Sequence, residues 1–122
     1  MWPTTGTPVV SSATAPIALP AGYVSQGGLV WTPNNIMRDW PTANAYCTGT
    51  AILGQTSWRL PTIAELQNLS GSGALTGQPG WVLVETWLSV PKTVDSHYVV
   101  NLYFNTIATE WDVYTVKTTC VR

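Results

Sequence analysis

The side chains with which this sequence could act as a base, a metal ligand or a thiol nucleophile are few: one histidine, six carboxylates and two cysteines in 122 residues. His97 has neither a second histidine nor a nearby cysteine with which to share a metal or relay a proton, and its ordinary place is a surface or loop edge. Calcium takes roughly six to eight oxygen ligands, usually several of them carboxylates. The acidic residues here are scattered, so neither a dedicated metal site nor a cofactor is expected. The glycine–serine elbow of hydrolases, the phosphate-binding Walker loop and the His-Glu-x-x-His zinc motif are all missing from the sequence. Cys47 and Cys120 lie too far apart for a zinc pattern or a CxxC redox motif. They form either one long-range disulfide, which requires an oxidising compartment, or two inert buried thiols; we expect the disulfide. Enzymatic activity is not expected.

The chemistry left is recognition. Hydrophobic residues make up 45% of the chain and aromatics 11%, with seven tryptophans, while charged residues make up only 9% and net charge is −1. Without a basic patch, nucleic acid is not a partner to expect. Trp and Tyr give large contact areas at low entropic cost and dominate binding hot spots and sugar stacking. Trp87, Tyr103 and Trp111, near Asp95, His97, Glu110 and Asp112, are therefore the candidate ligand-binding set. Trp87 and Trp111 also have a structural alternative, as core residues.

The elements that must position these groups centre on Trp58-Arg59-Leu60-Pro61-Thr62-Ile63-Ala64-Glu65-Leu66. Leu60 precedes a proline and is held extended; Pro61 fixes its own φ. Thr62 and Glu65 have the spacing of a capping box. Ile63, Leu66 and Leu69 then form a helical apolar stripe. Trp58 and Leu60 share one side of the incoming strand, so this is a strand-to-helix corner, with Arg59 expected to brace it by a hydrogen bond or ion pair.

Residues 1–22 are rich in Pro, Thr, Ser and Ala and read as a linker or N-terminal edge segment, with a possible edge strand near Val9-Val10. Residues 23–122 form the expected domain. Gly28 to Thr32 reads as a short strand ended by Pro33-Asn34-Asn35, followed by a first helix capped at Asp39 or Trp40, with Pro41 in its first turn. Trp40, Ala43 and Cys47 share its buried stripe. Trp81 to Val90 reads as one or two strands stopped by Pro91. His97 to Phe104 alternates, with Tyr98, Val100, Leu102 and Phe104 on one face. Val113 to Val121 alternates again and turns Cys120 inward. A bond from the first helix to the last strand is the natural pairing of Cys47 with Cys120, closing some seventy residues. The order predicts an α+β fold, two short helices packed on a small twisted antiparallel sheet with long loops. The loops at 70–80, 91–97 and 105–112 are expected to present one binding face.

Trp40-x-x-Ala43-x-x-x-Cys47, Gly54, Trp58-Arg59-Leu60-Pro61-Thr62-x-x-Glu65-Leu66, Trp87-x-Ser89 and the closing Cys120-Val121-Arg122 together resemble the bacterial DUF1566 family, the C-terminal domain of Legionella collagen-like adhesins. The resemblance runs from about Gly27 to Arg122. It implies a C-type-lectin-like fold, with a disulfide from the first helix to the last strand. It also implies a place at the end of a large bacterial surface protein, like the tips of intimin- and invasin-type adhesins. Calcium-dependent lectins carry Glu-Pro-Asn or Gln-Pro-Asp and Trp-Asn-Asp triplets. Gln78-Pro79-Gly80 lacks the acidic residue, and Glu110-Trp111-Asp112 matches the second only faintly. Formylglycine-generating enzymes share the fold but use closely placed catalytic thiols.

The function these features lead us to expect is non-enzymatic recognition of a host-cell or bacterial-surface glycan or protein receptor, in adhesion and virulence. The location expected is extracellular, at the cell surface. The opening residues lack the basic start and apolar core of a secretory leader, so upstream domains of a longer polypeptide are expected. No run is long and apolar enough for a membrane helix, and direct membrane insertion is not expected. The alternatives are a capping or self-association module of a large surface protein and a phage receptor-binding domain.

Overall fold

The computed structural model describes residues 18–122; the first seventeen residues of the expected linker, Val9-Val10 included, lie outside that span. The order is β1 (Val24–Gln26), β2 (Leu29–Trp31), β3 (Ile36–Arg38), α1 (Trp40–Gly49), α2 (Ile63–Gly71), β4 (Glu85–Thr93), β5 (Ser96–Asn101), β6 (Thr106–Trp111) and β7 (Val116–Thr118). β1 and β2 form a hairpin. The other five strands form one sheet in the order β3-β7-β4-β5-β6. The β7–β4 contact is parallel and the others antiparallel.

Both faces of the central strands are covered. Thr86 pairs with Val100 and Trp87 with Val99, and alternation sends these pairs to opposite faces. Trp87 and Val99 pack with Ala43 and Cys47 of α1, Trp58, Leu60 and Cys120. Leu88 and Val100 pack with Leu66 and Leu69 of α2, Trp31 and Val121. The result is an α+β sandwich of helix, sheet and helix. Burying each large apolar side chain of this kind contributes about 1.5–3 kcal/mol.

The corner forms as its residues dictate. Thr62 caps α2, its hydroxyl accepting from the Glu65 amide at 3.3 Å, while a Glu65 carboxylate oxygen accepts from the Thr62 amide at 2.9 Å. Both Arg59 terminal nitrogens donate to the two Glu65 oxygens at 2.7 Å. That fork holds the Glu65 carboxyl down at about 2. Arg59 and Val121 exchange backbone hydrogen bonds, and Val30 and Arg122 do the same, so the chain end is stitched between the corner and β2. Trp58 and Leu60 are buried, and the Trp58 indole donates to the Ile52 and Gln55 carbonyls. Cys47 and Cys120 are bonded and fully buried, joining α1 to the chain's last segment.

Several expectations are corrected. Of the two caps expected for α1 it is Asp39 that serves, accepting from the Thr42 amide. Pro91 does not stop β4, which runs to Thr93 with irregular register on either side of the proline. Pro91 lies opposite His97 of β5 between two register shifts, the irregular kind of position at which a sheet tolerates proline. Trp81 to Val84 lies outside the strand, and the alternation through Phe104 ends at Asn101. The last strand is only three residues long, and Tyr114, expected to face inward with Cys120, is exposed in the preceding turn. β1 and β3 were not expected at all.

Candidate functional site

The three loops expected to share a face do not. The 91–97 segment is a tight hairpin closed by the Thr93–Ser96 pair. Most of 105–112 is strand β6, running the length of β5 in unbroken register. The 70–80 loop leaves α2 beside the β5–β6 turn, where the Ser70 hydroxyl donates to the Leu102 carbonyl. The sheet therefore has two ends. One carries the β5–β6 turn, and the other carries the β4–β5 turn and the connection from β6 to β7.

Register brings five of the seven candidates to the second end. Ser96 lies opposite Trp111 and His97 opposite Glu110. The Asp112 amide donates to the Asp95 carbonyl at 2.8 Å. His97 is a correction, since it is buried rather than at a loop edge. Its Nδ1 lies 2.7 Å from an Asp112 carboxylate oxygen, and the Trp40 ring stacks on it at 3.5 Å, 12° from parallel. Trp40 is fixed in turn by donating its amide to the Asp112 carbonyl and its indole nitrogen to the Leu88 carbonyl. The His–Asp pair thus braces β5 against the β6–β7 turn, and Trp40 ties α1 to both. Alternation places His97 on the opposite face of β5 from Ser96, so the pair cannot reach a ligand bound on the Ser96 face.

On the Ser96 side lies an open cleft of about 330 Å³, lined by Lys92, Thr93, Ser96, Thr109, Glu110, Trp111 and Tyr114. Trp111 and Tyr114 are each 55% exposed. The Thr93 and Ser96 hydroxyls lie 2.7 Å apart, and Thr93 also accepts from the Asp95 amide. Two half-exposed aromatic faces, three hydroxyls and one ammonium are groups that stack on and hydrogen-bond a neutral, hydroxyl-rich ligand; the Glu110 side chain, paired in register with His97, leaves from the other face. Glu110 also neighbours Glu85, whose carboxyl is pushed above its ordinary value, first by burial and then by Glu110. Among the described residues, no three His, Cys, Asp or Glu side chains gather as a metal's donors would.

The other two candidates are elsewhere. Trp87 is fully buried, and its indole donates to the Arg38 carbonyl at 2.8 Å, so it is core and cannot touch a ligand. Tyr103 stands at the first end with Phe104, the two rings edge to face at 4.8 Å and each 69% exposed. The Asn101 side chain holds that turn by accepting both ring residues' amides. Sequence reasoning missed Lys92, Thr93, Ser96 and Thr109, which only strand pairing brings to Trp111, and Tyr114, expected on an inward strand face but exposed in the turn after β6. A second cleft, of about 210 Å³, lies beside the corner among Leu19, Val30, Leu53, Gln55, Trp58 and Arg122. Its lining is mostly apolar, with little to orient a polar ligand.

No family model matches the chain, and neither does any curated protein. Solved structures do. Botrocetin is similar over 86% of this chain and 98% of its own, with a TM-score of 0.62 at 12% identity. Botrocetin in complex with a mutant A1 domain of von Willebrand factor is similar over 85% and 98%, with a TM-score of 0.60 at 12% identity. The fold is C-type-lectin-like, as expected. At this identity the likeness speaks for the fold alone.

Proposed function

We propose that the chain is a non-enzymatic recognition domain of a bacterial surface adhesin of the DUF1566 type, and that it binds a cell-surface glycan through the Lys92–Tyr114 cleft. The observation that carries this reading is the cleft itself, where Trp111 and Tyr114 stand half-exposed over the Thr93, Ser96 and Thr109 hydroxyls. A preformed site on a paired hairpin lowers the ordering cost of binding. The Cys47–Cys120 disulfide suits an oxidising, extracellular setting. A protein receptor is the second reading. It is favoured by botrocetin, a protein of the same fold seen in complex with a protein domain.

The test is a screen of the oxidised domain against glycan arrays and host cells, with and without a calcium chelator and with protease-treated cells as a further arm. Calcium-independent glycan binding that survives protease treatment of the cells supports the first reading. Binding lost on protease treatment moves the reading to a protein receptor. Binding abolished by chelation contradicts the metal-free site, and no binding to any surface contradicts both readings.

A further inference from the structure

β6 is an edge strand whose outer side is unpaired among the described residues. Edge strands are ordinarily guarded against pairing by proline, lysine, a bulge or extreme shortness. The opposite edge, β3, is three residues long and carries Arg38, whose guanidinium lies over the Tyr46 ring. With Glu110 as its one charged residue, β6 has no proline, lysine or bulge. It is six residues, Thr106-Ile107-Ala108-Thr109-Glu110-Trp111, paired to β5 at every position without a register shift. Two of its large apolar side chains face solvent, Ile107 at 45% and Trp111 at 55%.

The strand is also complementary to itself. In a two-fold antiparallel pair, cross-strand neighbours must share a face, so the axis must pass beside a residue and not between two. The central choices are Ala108 and Thr109. Centring on Ala108 would set Ile107 against Thr109 and Thr106 against Glu110. Centring on Thr109 sets it against its own copy, with Ile107 facing Trp111 of the second copy and Trp111 facing Ile107. On the other face, Ala108 meets Glu110, so no like charges oppose. Aromatic–β-branched and Thr–Thr pairs are among the favourable cross-strand combinations.

We propose that β6 pairs antiparallel with β6 of a second copy, centred on Thr109, to make one continuous ten-stranded sheet. A two-fold axis normal to the sheet keeps the same face of each copy on the same side. Both Trp111 clefts therefore open in one direction, with the two indoles about 14 Å apart along the strands. Two sites on one rigid face raise avidity for a multivalent surface without any new contact. The self-pairing itself does not rest on what the cleft binds.

Sedimentation of the full 122-residue chain, without ligand, from micromolar to millimolar concentration tests this. The expected result is a monomer–dimer equilibrium, with the dimer at twice the 13.2 kDa of one chain. Ile107→Lys, a residue outside the cleft lining, weakens that association at least tenfold while circular dichroism stays unchanged. On oxidation Thr109→Cys gives a covalent dimer, because the two introduced thiols face each other; Ala108→Cys does not, because its copies are offset by two residues. The native cysteines are fully buried and do not exchange. A monomer at all concentrations, a dimer unaffected by Ile107→Lys, or cross-linking through Ala108→Cys in place of Thr109→Cys would each overturn the proposal. Ligand binding by a strictly monomeric chain would sink the pairing and leave the recognition reading standing.

Discussion

Trp87 and Trp111 sit two strands apart in the same sheet and do opposite things. Trp87, on β4, is fully buried between α1 and the chain's end, and its indole nitrogen is satisfied by a backbone carbonyl. Trp111, on β6, lies more than half exposed at the rim of a polar cleft. The contrast extends to their surroundings. Around Trp87 are the disulfide, Ala43 of α1 and the Trp58 and Leu60 side chains of the corner. Around Trp111 are a hairpin and an edge strand with exposed side chains. The buried brace and the proposed recognition site thus lie in different parts of one sheet, and residue type alone does not separate them.

The sharpest way to break the contrast is Trp87→Ala. It leaves a large cavity and strips the Arg38 carbonyl of its donor, so the expected loss is about 4–5 kcal/mol. Urea denaturation measures it; a loss under about 1 kcal/mol would mean that Trp87 is not core. Next comes replacing both cysteines by alanine, which releases the loop spanning 73 residues of sequence separation. The chain-entropy estimate is a loss of about 4 kcal/mol, read as a lower denaturant midpoint under oxidising conditions.

A smaller effect belongs to Glu65. Its folded pKa, about 2, is below its unfolded value, first because of the Arg59 hydrogen bond. The stabilisation is therefore complete above about pH 4.5 and is lost as pH falls toward 2. Arg59 is well exposed, and solvent screens the pair, so Glu65→Ala is expected to cost only about 1–2 kcal/mol at pH 7, cap included. Stability of wild type and variant, followed from pH 7 to pH 2, should converge. Parallel curves would show that the ion pair contributes nothing.

How much of this was legible beforehand follows the same division. The corner could be read because its signals are local: a proline, a capping residue and a glutamate at fixed spacing. The disulfide could be read because helical spacing and strand parity each pointed a cysteine inward. β3 is three residues beside a Pro-Asn-Asn stretch, too short to show a period. β6 follows an Asn-Thr turn signal that reads as loop, and that reading hides the geometry of the site. His97 reads as a surface residue in sequence because its two partners, Trp40 and Asp112, are far from it along the chain and meet it only through folding. The set of binding candidates rests on residue type. Its division between core, cleft and opposite turn was decided by strand register, which no single segment encodes.

Trp111 and Tyr103 offer the direct test, since both are exposed aromatics at opposite ends of β6, about 17 Å of strand apart. Their alanine variants should each keep stability within about 0.5 kcal/mol of wild type. The measurement to make is binding of both variants, beside wild type, to the surface that wild type recognises. A cleft-centred site predicts that Trp111→Ala weakens binding at least tenfold and that Tyr103→Ala leaves it unchanged. Binding lost in Tyr103→Ala and kept in Trp111→Ala would contradict the account and move the recognition surface to the β5–β6 turn.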